Sequence, residues 1–199
     1  KYDDQIKITT NKKFCLFGSR IDKHIGGLNL IKWLKEKNLI SLGHISLSRI
    51  TADINSYDSI LPFIDMDVLN YVKFNIVVEA WFTTDPNYRD HPMLTEKIFR
   101  NIHYRKPFIL IGQHSALEEF RILGYKTYDE LFDESYDTEK DSDTRLQKVF
   151  TQIQKLIDEP DDFWQKNKDK LDAIHKHNLD NYENRLTKLQ KFYDTLSQR

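Results

Sequence analysis

The sequence predicts an α/β fold: a parallel sheet covered by helices on both faces. Three observations predict it. Short apolar runs without polar alternation, such as Phe14–Phe17 and Phe108–Ile111, have the composition of strands buried on both faces. Stretches with apolar residues at helical spacing lie between them. The two kinds of segment alternate along the chain, as strand–helix–strand crossovers require.

Taken in order, residues 1–11 are polar and read as an arm or a short edge strand. Phe14-Cys15-Leu16-Phe17, stopped by Gly18-Ser19, reads as the first buried strand. Leu28, Leu30, Ile31 and Leu34 mark a helix whose other face carries Lys32, Lys35, Glu36 and Lys37, with Asn38 at its end. Leu42 to Ser48 is a second strand by alternation of Ile45 and Leu47. From Arg49 to Lys73 the periodicity fails among Asp53, Asn55, Asp58, Pro62, Asp65 and Asp67, and the stretch reads as a long irregular insertion.

Phe74 to Ala80 is the next buried strand. Thr95-Glu96-Lys97 opens a helix with Ile98, Phe99 and Ile102 turned inward; Arg105 and Lys106 suit its negative end and Pro107 stops it. Phe108–Ile111, closed by Gly112, is the clearest strand. A short helix with Leu117, Phe120, Arg121 and Leu123 runs to the C-cap candidate Gly124, and Tyr125 to Tyr128 reads as a short last strand. With these elements in place, residues 12–135 are expected to form a Rossmann-like domain.

Residues 136–199 are charged and helical. One helix runs from about Asp143 to Asp158, with Leu146, Val149, Ile153, Leu156 and Ile157 on its apolar face, and Pro160 breaks it before Phe163-Trp164. Leu179, Tyr182, Leu186, Leu189, Tyr193 and Leu196 then follow coiled-coil spacing. The stripe is under about three heptads, too short to stand alone. It reads first as a helix laid back on the sheet domain, and second as a contact for an oligomer or a protein partner.

Composition bounds the function. The chain has 199 residues, Lys+Arg 30 against Asp+Glu 31, 39% hydrophobic residues and one cysteine. A balanced charge argues against a nucleic-acid binder. No apolar run approaches the ~18 residues that span a membrane. Cys15 alone can form no internal disulfide, which points to a reducing, cytoplasmic setting, and in mid-strand it reads as a core residue. The chain begins at Lys1, not Met, so it is expected to be a piece of something longer.

In a doubly wound sheet, ligands bind beyond the carboxyl ends of the strands. Gly18-Ser19-Arg20, Glu79 through Arg89, and Gly112-Gln113-His114-Ser115 fall there, and amides at a helix start can hold an anion. An ordinary turn is the alternative at each. No dinucleotide fingerprint, P-loop or zinc spacing is present. His175 and His177 fall on different sides of a helix and read as solvated. The acidic run Asp133-Glu134-Ser135-Tyr136-Asp137 reads as a charged turn before a helix. At the start of the Thr95 helix, Glu96 is placed to accept from ribose hydroxyls and Lys97 to neutralise phosphate; a capping fragment with a surface ion pair is the competing reading.

Thr95-Glu96-Lys97-Ile98-Phe99-Arg100-Asn101, leading into Lys106-Pro107-Phe108-Ile109-Leu110-Ile111-Gly112, resembles the donor-binding motif of α1,3-fucosyltransferases. It is similar also to phage and bacterial glycosyltransferase-like proteins. With that group the chain shares, in order, Val77-Val78-Glu79-Ala80, Thr95-Glu96-Lys97, Lys106-Pro107-Phe108-Ile109, Leu123-Gly124-Tyr125-Lys126-Thr127-Tyr128 and Asp133–Asp137, over roughly residues 74–158. Two departures stand out: a single arginine in the turn after the first strand, and Ala80 where threonine is common.

The resemblance implies one half, the donor half, of a two-domain Rossmann-type glycosyltransferase. A nucleotide-diphosphate sugar would be co-substrate, a glycan or other hydroxyl the acceptor, and no metal or other cofactor would be needed. It implies that Thr95 opens the donor helix, Glu96 binds the ribose and Lys97 the diphosphate. Glu79 and Gly112 would lie beside the donor, and Arg20 near phosphate. The expected location is the cytoplasm of a bacterial or phage-infected cell. No acceptor half or general base is legible, so the alternative is a non-catalytic Rossmann-like interaction module, phage-associated, that makes its contacts through the C-terminal helices.

Overall fold

The structure, a computed structural model, describes residues 12–18, 25–47, 60–61, 69, 71–79, 81–82 and 92–197. The arm 1–11, the turn that carries Arg20, most of the stretch 49–73, and Ala80 lie outside them.

The strands are β1 (Phe14–Gly18), β2 (Gly43–Leu47), β3 (Ile60–Leu61), β4 (Phe74–Val78) and β5 (Phe108–Ile111). They form one five-stranded sheet in the order β3-β2-β1-β4-β5, and every pairing is parallel. The order reverses between β1 and β4. The fold is α/β and Rossmann-like, as the sequence predicts. The helices are α1 (Ile25–Glu36), α2 (Glu96–Tyr104), α3 (Ala116–Ile122), α4 (Ser142–Asp158), α5 (Asp161–Lys166) and α6 (Lys168–Ser197).

Register assigns the two faces, because side chains alternate along a strand. Phe14, Leu16, Ile45, Phe74, Ile76, Ile109 and Ile111 share one face. Against it lie α1, α4 and α5: Trp33 stacks on Phe150 at 4.8 Å and Phe74 on Trp164 at 6.1 Å. Cys15, Phe17, Asn75 and Phe108 share the other, where Phe17 stacks on Tyr104 of α2 at 5.9 Å. The core runs without a break past residue 135, so that Phe14 and Ile109 share one cluster with Val149 and Ile174. Cys15 is wholly buried, and burial pushes its thiol up to about 12, which makes it the inert core residue expected.

Four details differ from the sequence reading. First, the presumed irregular insertion contains β3, which pairs Ile60 with Ile45. Second, Tyr125 to Tyr128 is not a strand. The Lys126 N–H donates to Asn178 Oδ1 at 2.7 Å, and the Lys126 carbonyl accepts from Asn178 Nδ2 at 2.9 Å. One amide of α6 thus takes both backbone groups that a neighbouring strand would have used. Third, Leu28 is exposed while Gly26 and Gly27 are buried. A Cβ on Gly26 would stand 3.0 Å from both Ile111 and Phe82, so glycine is what lets α1 approach the sheet.

Fourth, His175 is buried and only His177 is exposed. The stripe of α6 starts earlier than expected, at Leu171 and Ile174, both buried. Its first half lies back on the domain, with Tyr182 edge-on to His103 at 4.7 Å. Leu186 and Leu189 remain half exposed.

The buried His175 makes stability depend on pH. Desolvation lowers its pKa from 6.5 to about 4, with Lys106 and Arg105 adding to the shift and Asp172 opposing it. Between these values the unfolded chain takes up a proton that the folded chain refuses. Stability is therefore present above pH 6.5 and lost as pH falls toward 4, by at most roughly 3 kcal/mol. Urea midpoints at pH 7 and pH 4.5 should differ less in His175→Gln than in the parent; an equal difference would exclude His175 as the source.

Candidate site at the carboxyl edge

The site is set by how α2 is fastened to β4. Asn75, buried in mid-strand, donates from Nδ2 to Asn101 Oδ1 at 2.7 Å, and Asn101 donates to the Lys97 carbonyl at 2.8 Å. This buried amide pair leaves the N-terminus of α2 at the end of β4. Thr95 is its N-cap, in extended conformation, with Oγ1 accepting from the Lys97 N–H at 3.4 Å.

Glu79, next after β4, is fully buried. Its N–H continues the ladder to the Ile111 carbonyl at 2.9 Å. Its carboxylate meets the helix start. Oε1 accepts from the Thr95 N–H at 2.9 Å, while Oε2 accepts from Thr95 Oγ1 at 2.5 Å and from Lys97 Nζ at 3.1 Å. Lys97 Nζ also donates to Thr95 Oγ1 at 2.8 Å. The hydroxyl uses its one proton toward Glu79 and accepts on its lone pairs, so the arrangement is self-consistent.

The structure therefore brings Glu79, Thr95 and Lys97 into one network. Lys97 is buried, its side chain 8% exposed. Among the described residues two of its three ammonium protons have partners. Glu96, the next residue round the helix, is exposed and takes no part. A carboxylate occupies the position where a helix N-terminus holds an anion.

Gly112 follows β5 and is buried; a Cβ there would lie 3.3 Å from Leu110. The next side chain, Gln113, accepts from the Met93 N–H at 2.9 Å and so ties this turn to the segment entering α2. The amides at the start of α3 are taken by the chain itself. Leu117 and Glu118 donate to the two oxygens of Asp137 at 2.9 Å each, and the Ser115 N–H donates to the Asp137 carbonyl at 2.8 Å. Burial raises the pKa of Asp137, against the pull of those two amides.

The acidic run is thus a 3-10 turn, Ser135–Thr138, that caps a helix. Its Glu134 is buried, pairs with Arg121 at 2.5 Å and accepts from the Tyr128 N–H at 2.8 Å. Among the described residues, no group of three or more His, Cys, Asp or Glu is placed to hold a metal ion.

Arg145 escaped the sequence reading. It lies on the apolar face of α4 with Leu146, Val149 and Ile153, 1% exposed, its guanidinium 4.6 Å above the Phe82 ring. It donates to the carbonyls of Phe82 at 2.5 Å and Glu139 at 2.7 Å. It thereby holds the segment that leaves β4 beside Glu79. A long cation within an otherwise apolar stripe was the available signal.

No protein-family model matches the chain, and comparison with curated proteins and with solved structures finds no match.

Proposed function

We propose that the chain binds a nucleotide-diphosphate sugar at the carboxyl edge of its sheet. In this reading it is the donor half of a glycosyltransferase-like protein that passes the sugar to a glycan or other hydroxyl acceptor. The observation that carries the reading is the Glu79–Thr95–Lys97 network at the start of α2, beside the crevice where strand order reverses between β1 and β4. Glu79 pairs with Lys97 in a desolvated position, and the third ammonium proton goes to the diphosphate. As the sugar departs, the remaining ammonium proton of Lys97 stabilises the leaving charge without a metal. The exposed Glu96 accepts from ribose hydroxyls. Among the described residues no helix is long and apolar enough to cross a membrane, and a phosphosugar donor together with a lone buried cysteine suits the cytoplasm of a bacterial or phage-infected cell.

A thermal-shift screen against nucleoside diphosphates and their sugars tests the class, and two variants test the site. Glu96→Ala should weaken the stabilising nucleotide about tenfold, the loss of one charge-assisted hydrogen bond. Deleting Lys97 alone would strand Glu79, so Glu79→Gln/Lys97→Gln, which removes both charges at nearly constant volume, is the cleaner variant; it should weaken binding about a hundredfold. A screen with no stabilising nucleotide, or unchanged binding in both variants, rejects the assignment. The half-exposed Leu186 and Leu189 favour the interaction module as second reading; it predicts silence in the screen and self-association in sedimentation.

A further inference from the structure

At the opposite edge of the sheet, where β4 and β5 begin, lies a polar cavity of about 310 Å³. Its charged lining is lopsided: Lys73, Arg105, Lys106 and Lys168 face a single carboxylate, Asp172. We infer that this cavity is a binding site for a phosphate group, carried by a small phosphate monoester or as free phosphate. It is separate from the carboxyl edge and does not rest on the donor reading.

The existing partners leave the cations under-satisfied. Lys168 pairs with Asp172 on the surface. Lys73 stands 3.6 Å from Asp161, which Lys13 contacts more closely, at 3.2 Å. Among the described residues Lys106 makes no ion pair, and it donates to the Val72 carbonyl at 3.0 Å. Arg105 makes no ion pair among the described residues. It occupies the left-handed position that ends α2, φ 50°, a conformation that asparagine or glycine would adopt at less cost. Its cationic side chain is nonetheless exposed at the rim.

The cavity wall also contains an unsatisfied polar atom. His175 is 7% exposed, and its Nε2 is wholly buried with no hydrogen-bond partner among the described residues. Such a group calls for a partner that the described residues do not supply. Arg105 and Lys106 supply the charge for a phosphate, and a turn of the His175 ring toward the cavity would bring Nε2 to one of its oxygens. The electrostatics agree: burial lowers the pKa of Lys106, Cys15 opposes the shift and Lys73 adds to it, and an anion between the two lysines would relieve their repulsion. The first turns of α6, which carry Lys168, Asp172 and His175, bring the positive end of a 30-residue helix to the same cavity. Trp164 and Tyr71 add flat aromatic surface, against which the organic part of an ester can rest.

Calorimetric titration of the whole chain with inorganic phosphate and with adenosine monophosphate, against chloride at equal ionic strength, tests the site. At least one probe should bind above the chloride background. Binding by phosphate assigns the free anion, and binding by the nucleotide alone, with a change in tryptophan fluorescence that Trp164→Phe removes, assigns an ester. Arg105→Asn/Lys168→Gln keeps the backbone conformation and replaces two exposed side chains; it should weaken the bound probe at least tenfold with an unchanged circular dichroism spectrum. Lys168→Glu is a second variant and should act in the same direction. Neither probe exceeding chloride, or a bound probe indifferent to both variants, would overturn the site.

Discussion

Glu79→Ala should lower the stability of the folded chain by about 3–5 kcal/mol, the usual cost of removing one member of a buried ion pair. The loss is large because of what is left behind. Lys97 would keep its ammonium in a nearly dry position, where Thr95 Oγ1 at 2.8 Å is its only other partner among the described residues. The Thr95 N–H would also lose its acceptor. Lys97→Met should cost a similar amount from the other side, by stranding the Glu79 carboxylate. Removing both charges together, as in Glu79→Leu/Lys97→Met, should restore most of the loss, since apolar replacement of a whole buried pair is often neutral. Urea unfolding of the parent, Glu79→Leu, Lys97→Met and the double variant closes this cycle. A coupling near zero, or a Glu79→Ala loss below about 1 kcal/mol, would show that the network is not a cooperative unit.

Arg145→Ala is expected to cost about as much, for another reason. The side chain is 1% exposed and among the described residues has no carboxylate in hydrogen-bond contact; its partners there are the carbonyls of Phe82, Glu139 and Lys140 and the hydroxyl of Ser142. Burial lowers its pKa, while Asp137, Asp141 and Glu139 pull it back up, and an arginine stays charged under this balance. Alanine leaves a cavity and orphans buried carbonyls, together about 3–5 kcal/mol. Arg145→Met separates the two contributions: it refills most of the volume, relieves the desolvated charge and should lose about 2 kcal/mol. Equal losses in both variants would mean that hydrogen bonding dominates, and a loss under about 1 kcal/mol in alanine would refute the anchor. Because Phe82 follows Glu79 closely, the alanine variant should also weaken any nucleotide bound at the carboxyl edge.

The strands were legible because a parallel sheet covered on both faces needs continuous apolar segments. Phe108–Ile111 is such a segment and Phe74–Val78 is one apart from Asn75, and every residue in them is buried. Helix α4 was equally legible, since five of its buried residues repeat at helical spacing. Strand β3 was not: its two residues stand directly before Pro62, which interrupts a strand pattern, and are held by pairing with β2. Tyr125–Tyr128 has the aromatic content of a strand, yet its backbone partner is a side chain 52 residues further on. The Thr95 cap could be read from local sequence, because capping is a contact between residues two or three apart.

What the sequence by itself determined is most of the elements and their order, because periodicity and capping act over a few residues. Tertiary structure alone decided where the charges go. Lys97 reads as a phosphate ligand, yet the fold pairs it with a carboxylate 18 residues earlier. Asp137 reads as part of an acidic turn, but its carboxylate caps a helix 20 residues before it. His175 reads as solvated, and the start of α6 buries it beside Lys106. The physical reason is common to all three. An ionisable side chain takes its state from burial and from the charges around it, and those are brought together only when distant segments pack.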